Sequence, residues 1–201
     1  HVIFDNGTTD VVFGVSTIAG DLTVISGNAS GITDNGTVTV DGDVSLTTDA
    51  NSGVINMNQL VQTALAGNTL LLNTDGSGAA TIVNTQGVNL AGNTGIGTTS
   101  ITATTGTITQ TGALIVGGTG SFTTIDDDQA ITLDTSTNAI TGEVDFTTNT
   151  SAAAGSGAGH VIFDNGTTDV VFGVSTIAGD LTVISGNASG ITDNGTVTVD
   201  G

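Results

Sequence analysis

The chain has no lysine, arginine, cysteine, proline, tryptophan or tyrosine. Each absence closes a class of function. Without cations nothing can neutralise phosphates, so nucleic-acid binding is excluded. The same lack argues against a helix lying on an anionic membrane surface. No run of about 18 apolar residues exists, so no helical membrane span is expected. Without cysteine there are no disulfides and no thiolate metal sites. A trypsin-like protease finds no cleavage site, which suits a protein living outside the cell and fits equally well a compositional bias of the source organism toward acidic residues. Proline is also missing, which favours a fold that needs nearly every backbone N–H in a ladder.

What remains is acidic and small. The 201 residues carry a net charge of −19, with Glu143 the single glutamate. Threonine, glycine and asparagine are abundant, yet 37% of the residues are hydrophobic. Disordered chains are usually poorer in such residues.

The dominant feature is a repeat, and repeats are to be read before fold. Residues 1–42 recur letter for letter as 160–201. The chain therefore divides into one full unit, 1–159, and the opening of a second, 160–201. Neither end has the look of a natural terminus. A weaker repeat lies inside the unit. ITDNGTVTV at 32–40 aligns with ITQTGALIV at 108–116, close to half the main period. This suggests two diverged modules of about 80 residues, consistent with short repeating building blocks.

Short apolar–polar–apolar runs recur throughout, as in Leu22-Thr23-Val24, Val44-Ser45-Leu46 and Ile131-Thr132-Leu133. Alternation with period two signals strands, and β-branched residues fit a pleated surface. Asn-Gly, Asp-Gly and Gly-Asn pairs punctuate them, residues that accept the positive φ of tight corners. One stretch, 58–66 (NQLVQTALA), reads as a possible helical turn.

These patterns predict an all-β parallel β-helix, a continuous solenoid. At roughly 20 residues per rung and about 4.8 Å between strands, the unit would hold about eight rungs over roughly 38 Å. An array of antiparallel β-sandwich domains is the main rival, with 151–159 as its one linker-like stretch.

The phrases STIAGDLTVISGNASGITDNGTVTVDGDVSLTT (16–48) and TQTGALIVGGTGSFTT (109–124) resemble repeats of large secreted bacterial proteins of the filamentous haemagglutinin and two-partner-secretion type. The resemblance implies a right-handed β-helix and a location on the bacterial surface. It also implies a role in adhesion, with host-cell or surface glycans as partners beside the chain's own repeats.

Catalysis is not expected. A β-helical lyase needs a basic proton acceptor, and a hydrolase needs paired carboxylates in a cleft. No cofactor is expected beyond Ca²⁺. For that ion, which takes several oxygen ligands, the candidates are Asp41 and Asp43 and the run Asp126, Asp127 and Asp128. Sequons fall at Asn6, Asn28, Asn35 and Asn149. His1 and His160 are one repeat position and read as strand-edge residues. Thr-x-Thr spacings at Thr102/Thr104, Thr107/Thr109/Thr111 and Thr37/Thr39 raise an ice-binding reading. The expectation is a non-catalytic extracellular fibre. The alternatives are a module displaying one ligand site per repeat, for Ca²⁺, glycan or ice, or a non-covalent filament of solenoid subunits.

Overall fold

A computed structural model describes residues 1–63, 67–95, 97–150 and 159–201. Every strand pairing in it is parallel, and no helix occurs among the described residues. The chain coils through nine rungs. Each rung lays one segment in an 11-stranded sheet and one in a 13-stranded sheet. Rung 1 contains Val2–Asp5, Val11–Phe13 and Ser16–Ile18, and rung 2 contains Leu22–Ser26, Ile32–Asp34 and Val38–Val40. Rung 3 contains Val44–Thr48 and Ile55–Gln62, rung 4 Leu70–Thr74 and Ala80–Asn84, and rung 5 Val88–Gly95 and Thr99–Ala103. Rung 6 follows with Ile108–Gln110, Leu114–Val116 and Gly120–Asp127. Rung 7 has Ile131–Leu133, Ala139–Ile140 and Glu143–Asn149. Rung 8 has Val161–Asp164, Val170–Phe172 and Ser175–Ile177, and rung 9 has Leu181–Ile184, Ile191–Asp193 and Val197–Val199.

The first segment of each rung belongs to the first sheet, and the last lies in the second. The Asn-Gly pairs are thus solenoid corners, not hairpins: Asn6-Gly7 joins the two sheets, and Asn35-Gly36 joins two strands of the second sheet. With all described pairings parallel, the antiparallel sandwich is excluded.

Alternate residues point inward and stack in columns along the axis. Leu22, Val44 and Leu70 form one column, in register, and Val24, Leu46 and Leu72 form the next. Ile82, Ile101, Phe122 and Phe146 form a third, from the second sheet. All of these side chains are buried. Each contributes on the order of 1.5–3 kcal/mol of transfer free energy, against the backbone entropy of ordering its rung.

The rungs are longer than the composition led one to expect. One step runs from Val2 to Leu22, a longer one from Val44 to Leu70, and a longer one still from Ile131 to Val161. The unit 1–159 therefore spans seven rungs, not eight, because corners of variable length lie between strands of fixed register. Seven steps of about 4.8 Å give roughly 34 Å per unit.

The helical reading of 58–66 is also corrected. Asn58–Gln62 lie in the extended strand Ile55–Gln62, while 64–66 fall outside the described residues. That strand bends, with Asn58 and Gln59 both exposed and Met57 and Leu60 both buried. The bend replaces period two by a spacing of three, which imitates a helix. The linker-like stretch 151–159 lies outside the described residues except for Gly159.

Rungs 8 and 9 repeat rungs 1 and 2 strand for strand. Val2 pairs with Leu22 as Val161 pairs with Leu181, and Ser16 pairs with Val38 as Ser175 pairs with Val197. Their surroundings differ. Phe4 on rung 1 is 44% exposed, whereas its copy Phe163 is wholly buried under rung 7. The seam between units is aromatic. Phe146 of rung 7 stacks on Phe122 (5.8 Å, 23°) and meets Phe163 (5.4 Å) and Phe172 (6.2 Å) of the next unit. The chain's six phenylalanines are these four plus Phe4 and Phe13, the first-unit copies of Phe163 and Phe172.

The near-copy inside the unit behaves differently. Ile32–Asp34 and Val38–Val40 lie in the second sheet, but Ile108–Gln110 and Leu114–Val116 lie in the first. Conversely Val44–Thr48 is in the first sheet and Gly120–Asp127 in the second. The local geometry nevertheless carries over. The Thr48 hydroxyl donates to the Gly53 carbonyl at 2.8 Å, and the Thr124 hydroxyl donates to the Gln129 carbonyl at 3.0 Å. Ser52 and Asp128, which are equivalent positions of the two modules, both have positive φ. The displacement from one near-copy to the other is thus three and a half turns, and it exchanges the sheets. Gly31 shows how tightly the corners stack. Its φ is +64°, and a Cβ there would collide with the Val54 carbonyl of the next rung.

Candidate functional site: the outer faces and the seam

Of the aspartates expected to bind Ca²⁺, Asp43, Asp126 and Asp128 use carboxylate oxygens in corner geometry. Asp21 and Asp43 lie on successive rungs at the entry to the first sheet. Asp21 accepts the Asp43 N–H at 3.0 Å, and Asp43 accepts the N–H (2.7 Å) and hydroxyl (3.0 Å) of Thr69. Asp41 gives its carbonyl to the Asn68 amide. At the other corner Asp126 accepts the Asp127 N–H, and Asp128 accepts the Thr150 hydroxyl. The two groups sit on different rungs and are not brought together. Among the described residues, no three His, Asp or Glu side chains converge to hold a metal ion.

The sequons are similarly engaged. Asn6 donates to the Asp10 carbonyl, Asn28 to the Thr8 carbonyl, and Asn149 to the Ile125 carbonyl. Asn35 is exposed. The second-unit copy of Asn6 is decisive for that position. Asn165 is 1% exposed, donates to the carbonyls of Ile140 and Asp169, and accepts the Ile140 N–H. Wherever a preceding unit is stacked on it, this asparagine has no room for a glycan. The histidines are edge residues. His1 Nδ1 stands 3.2 Å from Asp21, and His160 Nδ1 accepts the Asp180 N–H at 2.9 Å.

Cross-rung register builds a feature that the spacing of threonines along the chain does not reveal. On the outer face of the second sheet, Thr102, Thr123, Thr147, Thr176 and Thr198 fall in one column over five consecutive rungs. Two residues back along the strands run Thr81, Ser100 and Ser121, in register, ending at Asp145. Among the described residues none of these hydroxyls bonds to the protein, in contrast to Thr48, Thr124 and Thr148, whose hydroxyls close corners. From rung 4 to rung 6 the two columns, Val83 included, are uncharged, in a chain with 19 acids. Neighbouring rungs stand about 4.8 Å apart, and alternate residues of one strand about 6.8 Å. Of the threonine pairs read from the sequence, only Thr102 joins this lattice. Thr39 faces outward beside Thr17 and Val61, and Thr109 lies in the first sheet beside Asn89. Thr37, Thr104, Thr107 and Thr111 lie outside the strands.

Asp145 ends the neutral face, at the seam. Its Oδ1 is buried with no hydrogen-bond partner. Burial chiefly, and then the neighbouring Glu143 carboxylate, push Asp145 above its ordinary value of 3.8, while the Val174 backbone N–H pulls the other way.

The chain matches a family described as repeats of unknown function (DUF5649) over residues 2–76, 77–147 and 158–201. No curated protein and no solved structure matches it. The first two matched segments abut at residues 76 and 77, on the scale of the half-period seen in the strands.

Proposed function

The chain belongs to this family of repeats of unknown function, and from that premise we propose that it is a section of a non-catalytic, extracellular structural and adhesive fibre of a bacterial surface or matrix protein. One observation carries the reading. The second unit seats on the first through the same strand pairings that hold each unit together, so stacking can continue without a linker of independent geometry. A solenoid of this kind gives stability that grows with neighbouring interfaces. Its work is reach and stiffness, with the load borne by strand ladders and buried columns. The absence of lysine and arginine and the resemblance to secreted surface repeats support an extracellular setting. Electron microscopy of chains carrying two and four units tests this. Length should grow by about 34 Å per added unit as one unbroken rod. Beads on flexible links would refute it.

The neutral hydroxyl face favours a second reading, in which the fibre also displays a ligand surface for neutral glycans. Aligned free hydroxyls can exchange hydrogen bonds with a polyhydroxylated chain at little desolvation cost. Placing charge in the lattice with Thr123→Asp should abolish retention on neutral polysaccharide and leave the melting temperature nearly unchanged. Equal retention of both proteins would remove this reading.

A further inference from the structure

The strand Glu143–Asn149 closes one unit, and in the second sheet the strand Val170–Phe172 of the next unit seats on it. The first of these strands turns Phe146 inward, into the aromatic seam, and Glu143 and Asp145 outward. Gly173 of the next unit lies directly over the Asp145 carboxylate, close enough that a Cβ there would strike Oδ1. Glu143 Oε1 accepts the Asn194 amide at 2.9 Å, across to rung 9. The seam is further pinned by the Phe146 N–H to the Ser175 hydroxyl at 3.0 Å and the Gly173 N–H to the Val144 carbonyl at 3.1 Å.

Nothing on the surrounding elements can neutralise this acid pair. Rung 6 sets Ser121 against Asp145, and rung 8 sets the backbone of Gly173 and Val174, with Asp169 ahead of that strand. Rung 9 adds the neutral Asn194 and another acid, Asp193. The chain holds no lysine or arginine to move in. A buried carboxylate oxygen without a donor is tolerated far better when the group is protonated.

We propose that the joint between identical units is a pH-sensitive lock, in which protonation of Asp145, beside the Glu143 carboxylate, tightens the seating of each unit on the one before. The direction follows from linkage. Below 3.8, the ordinary value, Asp145 is protonated in both folded and unfolded chains, and its contribution to the seam is fully present. As pH rises, the unfolded chain ionises first and the folded chain holds its proton longer. The contribution is therefore lost as pH climbs through the raised value, and near neutrality the charged carboxylate strains the joint. The middle of the unit lacks this device. There Ser100 and Ser121 occupy the positions that Asp145 takes at the seam.

Amide hydrogen exchange on the full chain, corrected for intrinsic pH effects, tests the idea. Protection of the Gly173 amide at the seam should rise several-fold between pH 7 and pH 4, relative to the Ile101 amide in mid-unit. Asp145→Asn should bring Gly173 protection at pH 7 close to its value at pH 4 and flatten the profile. Glu143→Gln should flatten it in part. A wild-type seam whose pH response matches mid-unit, or an Asp145→Asn chain with the wild-type response, would overturn the proposal. Because the general acidity of the chain acts on both sites, the comparison between them isolates the seam.

Discussion

Replacing Phe146 with alanine should cost about 3–5 kcal/mol, the range for removing a buried aromatic side chain from a packed core. The side chain is fully buried and contacts three other rings, from the rung above, through Phe122, and the rung below, through Phe163 and Phe172. The loss should be local. Rungs 8 and 9 should lose protection from amide exchange first, since only rung 7 covers rung 8 from above. Rungs 3–5, whose columns are aliphatic, should keep theirs. Phe13→Ala provides the contrast. Phe13 has the same sequence context as Phe172, but it is only partly buried, whereas Phe172 is buried. Its removal should cost distinctly less. Urea denaturation of the two variants, read alongside site-resolved exchange, checks both. Equal costs would mean that the aromatic seam adds nothing beyond burial of a single ring.

Asn138→Ala should be nearly as damaging, by another route. Asn138 is 2% exposed and binds three successive rungs. Its Oδ1 accepts the Leu114 N–H and the Gln110 amide, both at 2.9 Å. The two hydrogens of its Nδ2 are shared among the carbonyls of Leu133 and Asp164 and Gln110 Oε1. Alanine would remove the acceptor of the Leu114 N–H and the amide that two interior carbonyls accept. Each such group costs on the order of 1–3 kcal/mol, and water entering the vacated space would return part of it. A net loss of about 3 kcal/mol is expected, measured as a fall in the denaturation midpoint. Asn51→Ala, which removes a single, partly buried amide bond to the Gly27 carbonyl, should cost under about 1.5 kcal/mol. A midpoint for Asn138→Ala no lower than that of Asn51→Ala would sink the account of these amides as rung ties.

Strands and corners were legible in the sequence because each depends on a few adjacent residues. Leu22-Thr23-Val24 and Val44-Ser45-Leu46 alternate visibly, and the glycine pairs mark where they stop. The identical copy gave the tandem organisation directly. What could not be read was anything fixed by the next rung. The partner of Thr123 is Thr102 on one side and Thr147 on the other, and the two intervening stretches differ in length, so they obey no constant period. The hydroxyl lattice therefore emerges only from register. The same holds for Asp145. In the sequence it is one more acid in a strand; its burial is created by Gly173, a full rung further along the chain. The acidic corners show the converse case. Acids gathered at a turn can look like a coordination set, but Asp43 faces the N–H and hydroxyl of Thr69, and Asp126 the N–H of its own neighbour Asp127. Corner backbone takes the oxygens first.

The exchange of sheets between the two near-copies has a genetic corollary. Gain or loss of a whole unit moves everything downstream by seven turns and leaves its orientation alone. Gain or loss of one half-period motif would instead turn the remainder of the rod through half a revolution. The strand ladders tolerate this, since the same strand–corner–strand fragment is built in both sheets. What changes is the side on which every later surface is shown. Parity, counted in motifs, then becomes heritable information about which way the solenoid faces. Recombination between the identical stretches 1–42 and 160–201 conserves it, whereas slippage between the diverged ones would invert it.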